Sequence, residues 1–181
     1  MIETRFEKIK EALYSYGASD LNKNILENIT LEELLHVASS TKDERAAFRA
    51  AWALEHVLLN DKILLQENQD EILQIYRVSN NWSVLRSISK MVMELTKHSL
   101  HILSDEQIEL TLNKSFHLME NLDCPVAVRC NVYDILFSFC QKEKWVAQEL
   151  TTQINFDLER NATPALLSRG KRILLKLERI S

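Results

Sequence analysis

Glycine and proline are scarce in this chain. Each occurs only twice in 181 residues, whereas average usage is about 7% for glycine and about 5% for proline. Tight hairpin turns depend on glycine because a left-handed backbone is costly for other residues. The chain also has no apolar run near the twenty or so residues that a membrane-spanning helix needs. These absences predict an almost entirely helical protein with no membrane partner. The hydrophobic content of 46% is enough to form a core.

Cysteine is also rare, and it is odd in number. Cys124, Cys130 and Cys140 fall within one helical segment, and the first two are not at zinc-ligand spacing. An odd number of cysteines suits buried, reduced thiols better than a disulfide framework. Residues 1–10 form a charged amphipathic stretch rather than an export signal. We therefore expect a cytoplasmic protein.

Motifs of the common catalytic and cofactor sites are absent from the sequence. It has no phosphate-binding glycine loop, no nucleophile elbow and no paired-cysteine metal motif. His98 and His101 are spaced to share a site, but no third ligand follows nearby, so we predict no metal. Paired acids such as Glu32 and Glu33 fall in first helical turns, where the helix dipole favours them without acid-base chemistry. We predict no cofactor and no catalytic residues; an enzyme completed by a partner subunit is left as an alternative.

Charge is distributed unevenly around a net value of −4. Residues 1–80 hold fourteen acids and nine bases, and residues 81–181 hold twelve acids and thirteen bases. The strongest local bias is in the last helix, where five bases are opposed only by Glu178: Arg169, Lys171, Arg172, Lys176 and Arg179. Such a patch can bind anions. It can equally stabilise a helix C-terminus and solubilise the end of a helical stack, and we favour that interpretation.

A polar residue and an arginine recur together along the chain. Asp43 precedes Arg49 by six residues, and the same spacing joins three further pairs: Asn80 and Arg86, Asp123 and Arg129, Thr163 and Arg169. The arginines are separated by 37, 43 and 40 residues. A period near forty residues, with a helix cap and an arginine in register, is typical of stacked helical repeats.

Helical periodicity and cap residues predict where the helices lie. Thr30 with Glu33, and Ser104 with Gln107, have the spacing of capping boxes. The predicted helices run from about 2 to 16, 20 to 27, 30 to 38, 43 to 59, 62 to 66, 70 to 78, 82 to 97, 104 to 121, from about 123, 144 to 160, and 164 to 179. The helices within residues 1–28 are expected to cap an array of about four pairs over residues 30–181.

The helix that starts at Asp43 has a face of small residues. Asp43 is its predicted N-cap, and its small residues are Ala46, Ala47, Ala50, Ala51 and Ala53. These alanines predict that a neighbouring helix packs closely against it. Asp123 is likewise predicted to cap a later helix, with Pro125 in the first turn, where a missing N–H does no harm.

These repeats resemble those of the HEAT repeat family. In that family the second helix of each pair opens with a turn aspartate, and an arginine and small apolar residues follow. DERAAFRAAWAL at 43–54 and DCPVAVRCNVYDIL at 123–136 are similar to this pattern, whereas Asn80 and Thr163 replace the usual aspartate. The resemblance implies an all-α fold, a right-handed α-α superhelix of about four to five antiparallel helix pairs that forms one domain over residues 1–181.

The resemblance also implies a ladder of charged residues along the stack. Each turn carboxylate would meet arginines of its own and the next unit, with these members: Asp43, Arg49, Asn80, Arg86, Asp123, Arg129 and Arg169. Charge-assisted bonds between partly buried partners would fix the spacing between units. We therefore assign these arginines a structural role in preference to ligand binding.

A non-enzymatic scaffold that binds a protein or peptide is the predicted function. In the family the second helices line a concave face, and the residues expected there are Trp82, Arg86, Lys90 and Met93, with Arg45 and His56 on the second helix of the preceding pair. Trp52 is expected in the core. Among the tryptophans, Trp82 is the better candidate for a contact residue.

Nucleic-acid binding is the alternative function. DNA glycosylases for alkylated purines include proteins built from HEAT-like helix pairs, and they need a basic concave track. The acidic residues 1–80 disfavour such a track. Apolar end surfaces often drive repeat arrays to pair, so a homodimer is a further expectation to test.

Overall fold

The protein is helical throughout the part of the chain that the structure describes. This computed structural model describes residues 3–17, 23–99 and 102–180. Their helices are α1 Glu3–Ser15, a short 3-10 helix Lys23–Glu27, α2 Leu31–Ala38, α3 Glu44–Leu58, α4 Lys62–Glu67, α5 Gln69–Val78, α6 Trp82–Ser99, α7 Asp105–Glu120, α8 Val126–Phe139, α9 Lys144–Asn161 and α10 Pro164–Leu177. No strand occurs among these residues. The predicted all-α class is confirmed.

The chain divides into two compact units, Met1–Met91 and Val92–Ser181. The boundary falls within α6. None of the helices in the described ranges is both long and apolar enough to cross a membrane. Ile2, Asp20 and Leu21, which were predicted to lie in the N-terminal helices, are outside the described residues, and Lys23–Glu27 is a 3-10 rather than an α-helix.

Helix α3 is the centre of the first unit. It packs against α1, the 3-10 helix, α2 and α4. Its five alanines are at most 1% exposed, as are Leu54, Val57 and Leu58. Alanine has no side chain beyond Cβ, so this surface allows the close helix packing that the sequence predicted.

Helix α8 has the same central place in the second unit. It packs against α7, α9 and α10, and it buries Val128, Val132, Ile135, Leu136 and Phe139 completely. Helices α9 and α10 also contact each other closely. A Cβ atom added at Gly170 would lie 3.0 Å from Cγ2 of Ile154, so the space beside α9 at that position suits glycine.

Both predicted capping boxes are confirmed. Thr30 Oγ1 accepts from the Glu33 N–H at 3.2 Å, while the Glu33 carboxylate accepts from the Thr30 N–H at 2.9 Å. Ser104 and Gln107 make the same reciprocal pair. Asp43 also caps α3 as predicted, because its Oδ1 accepts from the Ala46 N–H at 3.0 Å.

Two other predicted caps are wrong. At the start of α6 it is Asn81, not Asn80, whose Oδ1 accepts from the N–H groups of Ser83 and Val84. At the start of α8 the N-cap position is held by Pro125, which has no side-chain acceptor, and Asp123 lies exposed in the preceding turn. Proline fixes its own φ near −65° and so sets the entry into the helix without a polar cap.

An ion pair joins α1 to the start of α2. Arg5 donates to Glu33 through Nε at 2.7 Å and through Nη2 at 2.9 Å, and Nη2 also donates to the Asn28 carbonyl oxygen at 3.1 Å. The hydrogen bonds from Arg5 lower the pKa of the Glu33 carboxyl to about 2. Bonds from both Arg5 and the Thr30 N–H therefore favour the charged carboxylate.

Glu33→Gln is expected to destabilise the protein in a pH-dependent way. Because the folded pKa of Glu33 is below its unfolded value, the stabilisation is fully present above about pH 4.5 and is lost as the pH falls towards about 2. After allowing for solvent screening at this partly exposed pair, we expect a difference of about 1 to 2 kcal/mol in the free energy of unfolding at neutral pH. Urea unfolding at several pH values measures it. A gap between wild type and variant that stays constant with pH would contradict the prediction, and Glu11→Gln on the exposed side of α1 is the control.

Candidate functional site

Three of the four repeat arginines, Arg49, Arg129 and Arg169, hold helices together within a unit. Arg49 of α3 donates to the Leu13 carbonyl oxygen through Nε at 2.9 Å and through Nη2 at 2.8 Å, and Nη2 also bonds the Tyr16 carbonyl. Leu13 lies in the last turn of α1 and Tyr16 directly follows the helix, where backbone acceptors lack helical partners. Arg49 therefore fastens the end of α1 to α3.

Arg129 is the centre of a buried network in the second unit. Its Nη1 donates to both oxygens of Asp157 at 2.8 and 2.9 Å and to the Met119 carbonyl oxygen at 2.7 Å. Nη2 donates to the Asn121 carbonyl oxygen at 2.6 Å, and the Tyr133 hydroxyl donates to Asp157 Oδ2 at 2.6 Å. Arg129 is 5% exposed and Asp157 is 7% exposed. Burial and the Asp157 carboxylate raise the pKa of Tyr133, which stays a neutral donor.

The remaining two repeat arginines differ from each other. Arg169 Nη1 bonds Asp134 Oδ2, and Arg172 Nη2 lies 3.1 Å from Asp134 Oδ1. The side chain of Arg86 is exposed and makes no hydrogen bond to any residue in the described ranges. The four arginines therefore share a register in the sequence but not a common set of contacts.

These contacts correct the predicted ladder. The acceptors are carbonyl oxygens at the ends of α1 and α7 and carboxylates inside α8 and α9, not the turn residues Asp43, Asn80 and Asp123. Asp43 instead accepts from the Tyr14 hydroxyl at 2.9 Å and lies 3.7 Å from Lys10 Nζ. The N–H of Ala46 and the Tyr14 hydroxyl lower the pKa of Asp43, which keeps the cap charged.

An aromatic row runs along α3 in the first unit. Phe48 and Trp52 stack with ring centroids 6.0 Å apart and planes 6° apart, and His56 lies 5.7 Å further along. All three side chains are partly exposed, so the expectation that Trp52 is a core residue is wrong. We call Phe48, Trp52 and His56 the aromatic ridge. Arg49 Cζ lies 5.6 Å from the Trp52 ring, so the residue that fastens α1 also supports the ridge.

Charged side chains surround the aromatic ridge. Glu55 of α3 forms an ion pair with Lys90 of α6, and Arg45 Cζ lies 4.5 Å from the centre of the Tyr14 ring. Arg45 itself is exposed. Two of the predicted contact residues, Arg45 and His56, therefore lie on α3 with the ridge, and a third, Lys90, is ion-paired to that helix.

The other predicted contact residues lie along α6. Trp82 and Met93 are partly exposed and Arg86 is exposed. Successive members of the set Trp82, Arg86, Lys90 and Met93 are three or four residues apart, which places them along one side of the helix. Met93 also lines a cleft in the second unit.

This cleft lies between the end of α6 and helices α8 and α10, and has a volume of about 660 Å³. Four basic residues line it: Lys97, Arg169, Arg172 and Lys176. Two carboxylates, those of Glu94 and Asp134, also line it, and Glu94 Oε1 lies 3.1 Å from His98 Nε2. We call it the basic cleft. It includes three of the five residues of the predicted anion patch; Lys171 and Arg179 do not line it.

Phe137 gives the basic cleft an apolar surface. The Nζ atom of Lys176 lies 5.2 Å from the centre of the Phe137 ring. An ammonium group at this distance is attracted to the ring face. No local motif in the sequence marks Phe137, Lys97 and Asp134 as members of a site, so they could not be predicted from it.

A second cleft, in the first unit, lies between α2 and α5. Its volume is about 530 Å³, its charged lining residues are Glu32 and Glu71, and His36 of α2 also lines it. It has no basic residue other than this histidine. It therefore differs in charge from the basic cleft.

Neither a metal site nor a reactive thiol is found in the described ranges. No group of three or more His, Cys, Asp or Glu side chains there could hold a metal ion. His101, the partner of His98 in the sequence analysis, is outside the described residues. Cys124, Cys130 and Cys140 are free and buried, and burial raises the pKa of Cys124 and Cys140 to about 11. High thiol pKa values leave little of the reactive thiolate.

Comparisons with known proteins agree on the fold. No curated protein matches the sequence significantly. A crystal structure of an engineered protein matches with a TM-score of 0.59 and 12% identity, and the match covers 96% of this chain and 81% of that chain. At this identity the likeness concerns the fold alone. A family model described as a HEAT repeat domain matches residues 6–177, and the chain therefore belongs to the HEAT repeat family.

Proposed function

We propose that this protein is a non-enzymatic scaffold that binds another protein through the first unit. The observation that carries the proposal is the aromatic ridge, in which three neighbouring rings of α3, the first two of them stacked, stay partly exposed. Tryptophan and arginine dominate the binding energy of many protein interfaces, because they bury much area and keep a polar group for hydrogen bonding. The ridge offers such residues on one rigid helix.

The charged residues around the ridge suit the rim of an interface. Arg45 stands over the Tyr14 ring, and the Glu55 and Lys90 side chains are already paired. Rim charges add little affinity, but they orient the partner and suppress wrong partners. We propose that Trp82 and Arg86, which share one side of α6 with Lys90, also belong to this rim. Family membership also supports the proposal, since HEAT repeats are helical arrays of the kind that offer extended binding surfaces.

Trp52→Ala tests the proposal. Wild-type and variant proteins are used to capture partners from a native lysate with and without nuclease, and retained proteins are identified by mass spectrometry. We expect a partner that survives nuclease and binds Trp52→Ala at least about tenfold more weakly, the usual scale for a central interface tryptophan. The matched control is Trp145→Ala, which removes an exposed tryptophan of α9 that packs on Phe116.

Two outcomes would contradict this assignment. A captured partner that binds Trp52→Ala as well as wild type would remove the ridge as the binding surface. Captured material that disappears on nuclease treatment would instead favour the nucleic-acid alternative. Thermal melts of both variants establish that each is folded before its binding is compared.

A further inference from the structure

The basic cleft has an excess of positive charge that its own carboxylates do not neutralise. Four cations face two carboxylates, and one of these, Glu94, lies beside His98. The other, Asp134, is shared by Arg169 and Arg172. Each guanidinium has five N–H donors, and one carboxylate cannot satisfy both groups. Donors are therefore left for an incoming anion.

The arginines of the cleft are also held in place. The side chain of Asp134 is 17% exposed, whereas those of Arg169 and Arg172 are 29% and 51% exposed. A carboxylate fixed within α8 thus anchors two guanidiniums whose outer edges reach solvent. Arg169, Arg172 and Lys176 are three and four residues apart on α10, so they follow one side of that helix. This arrangement reduces the side-chain entropy lost when an anion binds.

Apolar surface lies directly beside these cations. The Phe137 ring is beneath the Lys176 ammonium, and the partly exposed Met93 lines the same cleft. A ligand that satisfies the whole lining therefore needs carboxylates together with an apolar side chain. Cleft volumes of this size are ordinary for specific ligand sites.

We propose that the basic cleft binds an acidic peptide segment that carries an apolar residue, with its carboxylates on Arg172, Lys176 and Lys97 and its apolar side chain against Phe137. This inference rests on the proposed protein-binding function but concerns a different surface. A polynucleotide suits the cleft less well, because its phosphates need a long basic track. Here the bases are confined to two helices, and the chain as a whole has a net charge of −4.

Fluorescence anisotropy with a labelled polyglutamate peptide that carries one central phenylalanine tests the proposal. Arg172→Glu and Lys176→Glu are each expected to weaken binding about tenfold, because each reverses a charge that contacts the ligand. The matched control is Lys171→Glu, which makes the same change at an exposed position of α10 outside the cleft and should alter affinity less than about twofold. Replacing the phenylalanine of the peptide with glycine should also weaken binding.

Several results would overturn the proposal. The first is that the acidic peptide does not bind, and the second is that Lys171→Glu weakens its binding as much as the cleft variants do. The third is that an oligothymidylate of the same charge binds more tightly than the peptide and that Arg172→Glu and Lys176→Glu abolish this binding. The last result would make the cleft a nucleic-acid site. Trp52→Ala should leave the affinity for this peptide unchanged. If the peptide fails to bind while the nuclease-resistant partner still depends on Trp52, the cleft proposal alone is wrong.

Discussion

Arg129→Ala is expected to lower the free energy of unfolding by about 3 to 5 kcal/mol, because it leaves a buried carboxylate without its counter-charge. Asp157 is 7% exposed, and after the change it would keep the neutral Tyr133 hydroxyl as a donor but lose both bonds from the guanidinium. The carbonyl oxygens of Met119 and Asn121, at the C-terminal end of α7, would also lose the hydrogen bonds that Arg129 donates to them. Each of these groups would either stay buried without its hydrogen-bond donor or require water to enter the core.

The control for this prediction is Arg86→Ala, the same change at the corresponding position of the preceding repeat. Arg86 is exposed and makes no hydrogen bond within the described ranges, so we expect a change within about 0.5 kcal/mol. Urea unfolding of both variants measures the difference. An unchanged free energy of unfolding for Arg129→Ala, or equal losses in the two variants, would show that Arg129 does not have the structural role assigned to it.

Ala50→Leu is expected to destabilise the protein by about 1 to 3 kcal/mol, because a well-packed core has no room for three more carbon atoms. Ala50 is fully buried on the face of α3 that also carries Ala46, Ala47 and Ala53. The longer side chain must displace a neighbouring helix or adopt a strained rotamer.

Ala165→Leu is the matched control for the packing prediction. Ala165 is exposed in the first turn of α10, so the same added volume meets solvent, and the expected change is within about 0.5 kcal/mol. Thermal unfolding followed by circular dichroism compares the two. A stable Ala50→Leu variant with an unchanged melting temperature would mean that α3 is less closely packed than its burial indicates.

Local features of the fold could be predicted from the sequence because their causes are local. The capping boxes at Thr30 and Ser104 each join residues three positions apart, and periodicity places the buried alanines of α3 on one face. The cap at Asn81 was missed by one residue, because two adjacent asparagines offer the same chemistry. Pro125 displaced the expected cap at Asp123, because proline takes the N-cap position there itself.

The partners of the arginines could not be predicted in the same way, because they lie far along the chain. Asp157 is 28 residues from Arg129, and Asp134 is 35 residues from Arg169. One signal for Asp157 was present. It follows Val146, Leu150 and Ile154 at helical spacing, and all three are fully buried. A charged residue in such a register indicates a buried partner, although it does not identify which one.

The assembly of the basic cleft depended on tertiary structure for a related reason. The sequence marked five bases near the end of the chain as one group, but Lys171 on α10 and Arg179, which follows α10, do not line the cleft that holds the other three. Lys97 and Phe137 join the group only because α6 and α8 end beside α10. Composition alone therefore favoured a solubilising role for these bases, whereas their placement supports recognition of an anion.

The position of the cysteines gives this protein a natural reporter of local unfolding. The chain has three thiols, and all of them lie in the unit Val92–Ser181, buried and free. An alkylating reagent must reach the sulfur atom and reacts with the thiolate form. Burial blocks access to these thiols, and it also raises their pKa, which lowers the fraction present as thiolate. The rate at which native protein is alkylated therefore follows the opening of this unit, while the first unit, which has no cysteine, is silent. The rate of local opening of the unit Val92–Ser181 can thus be measured without any introduced label.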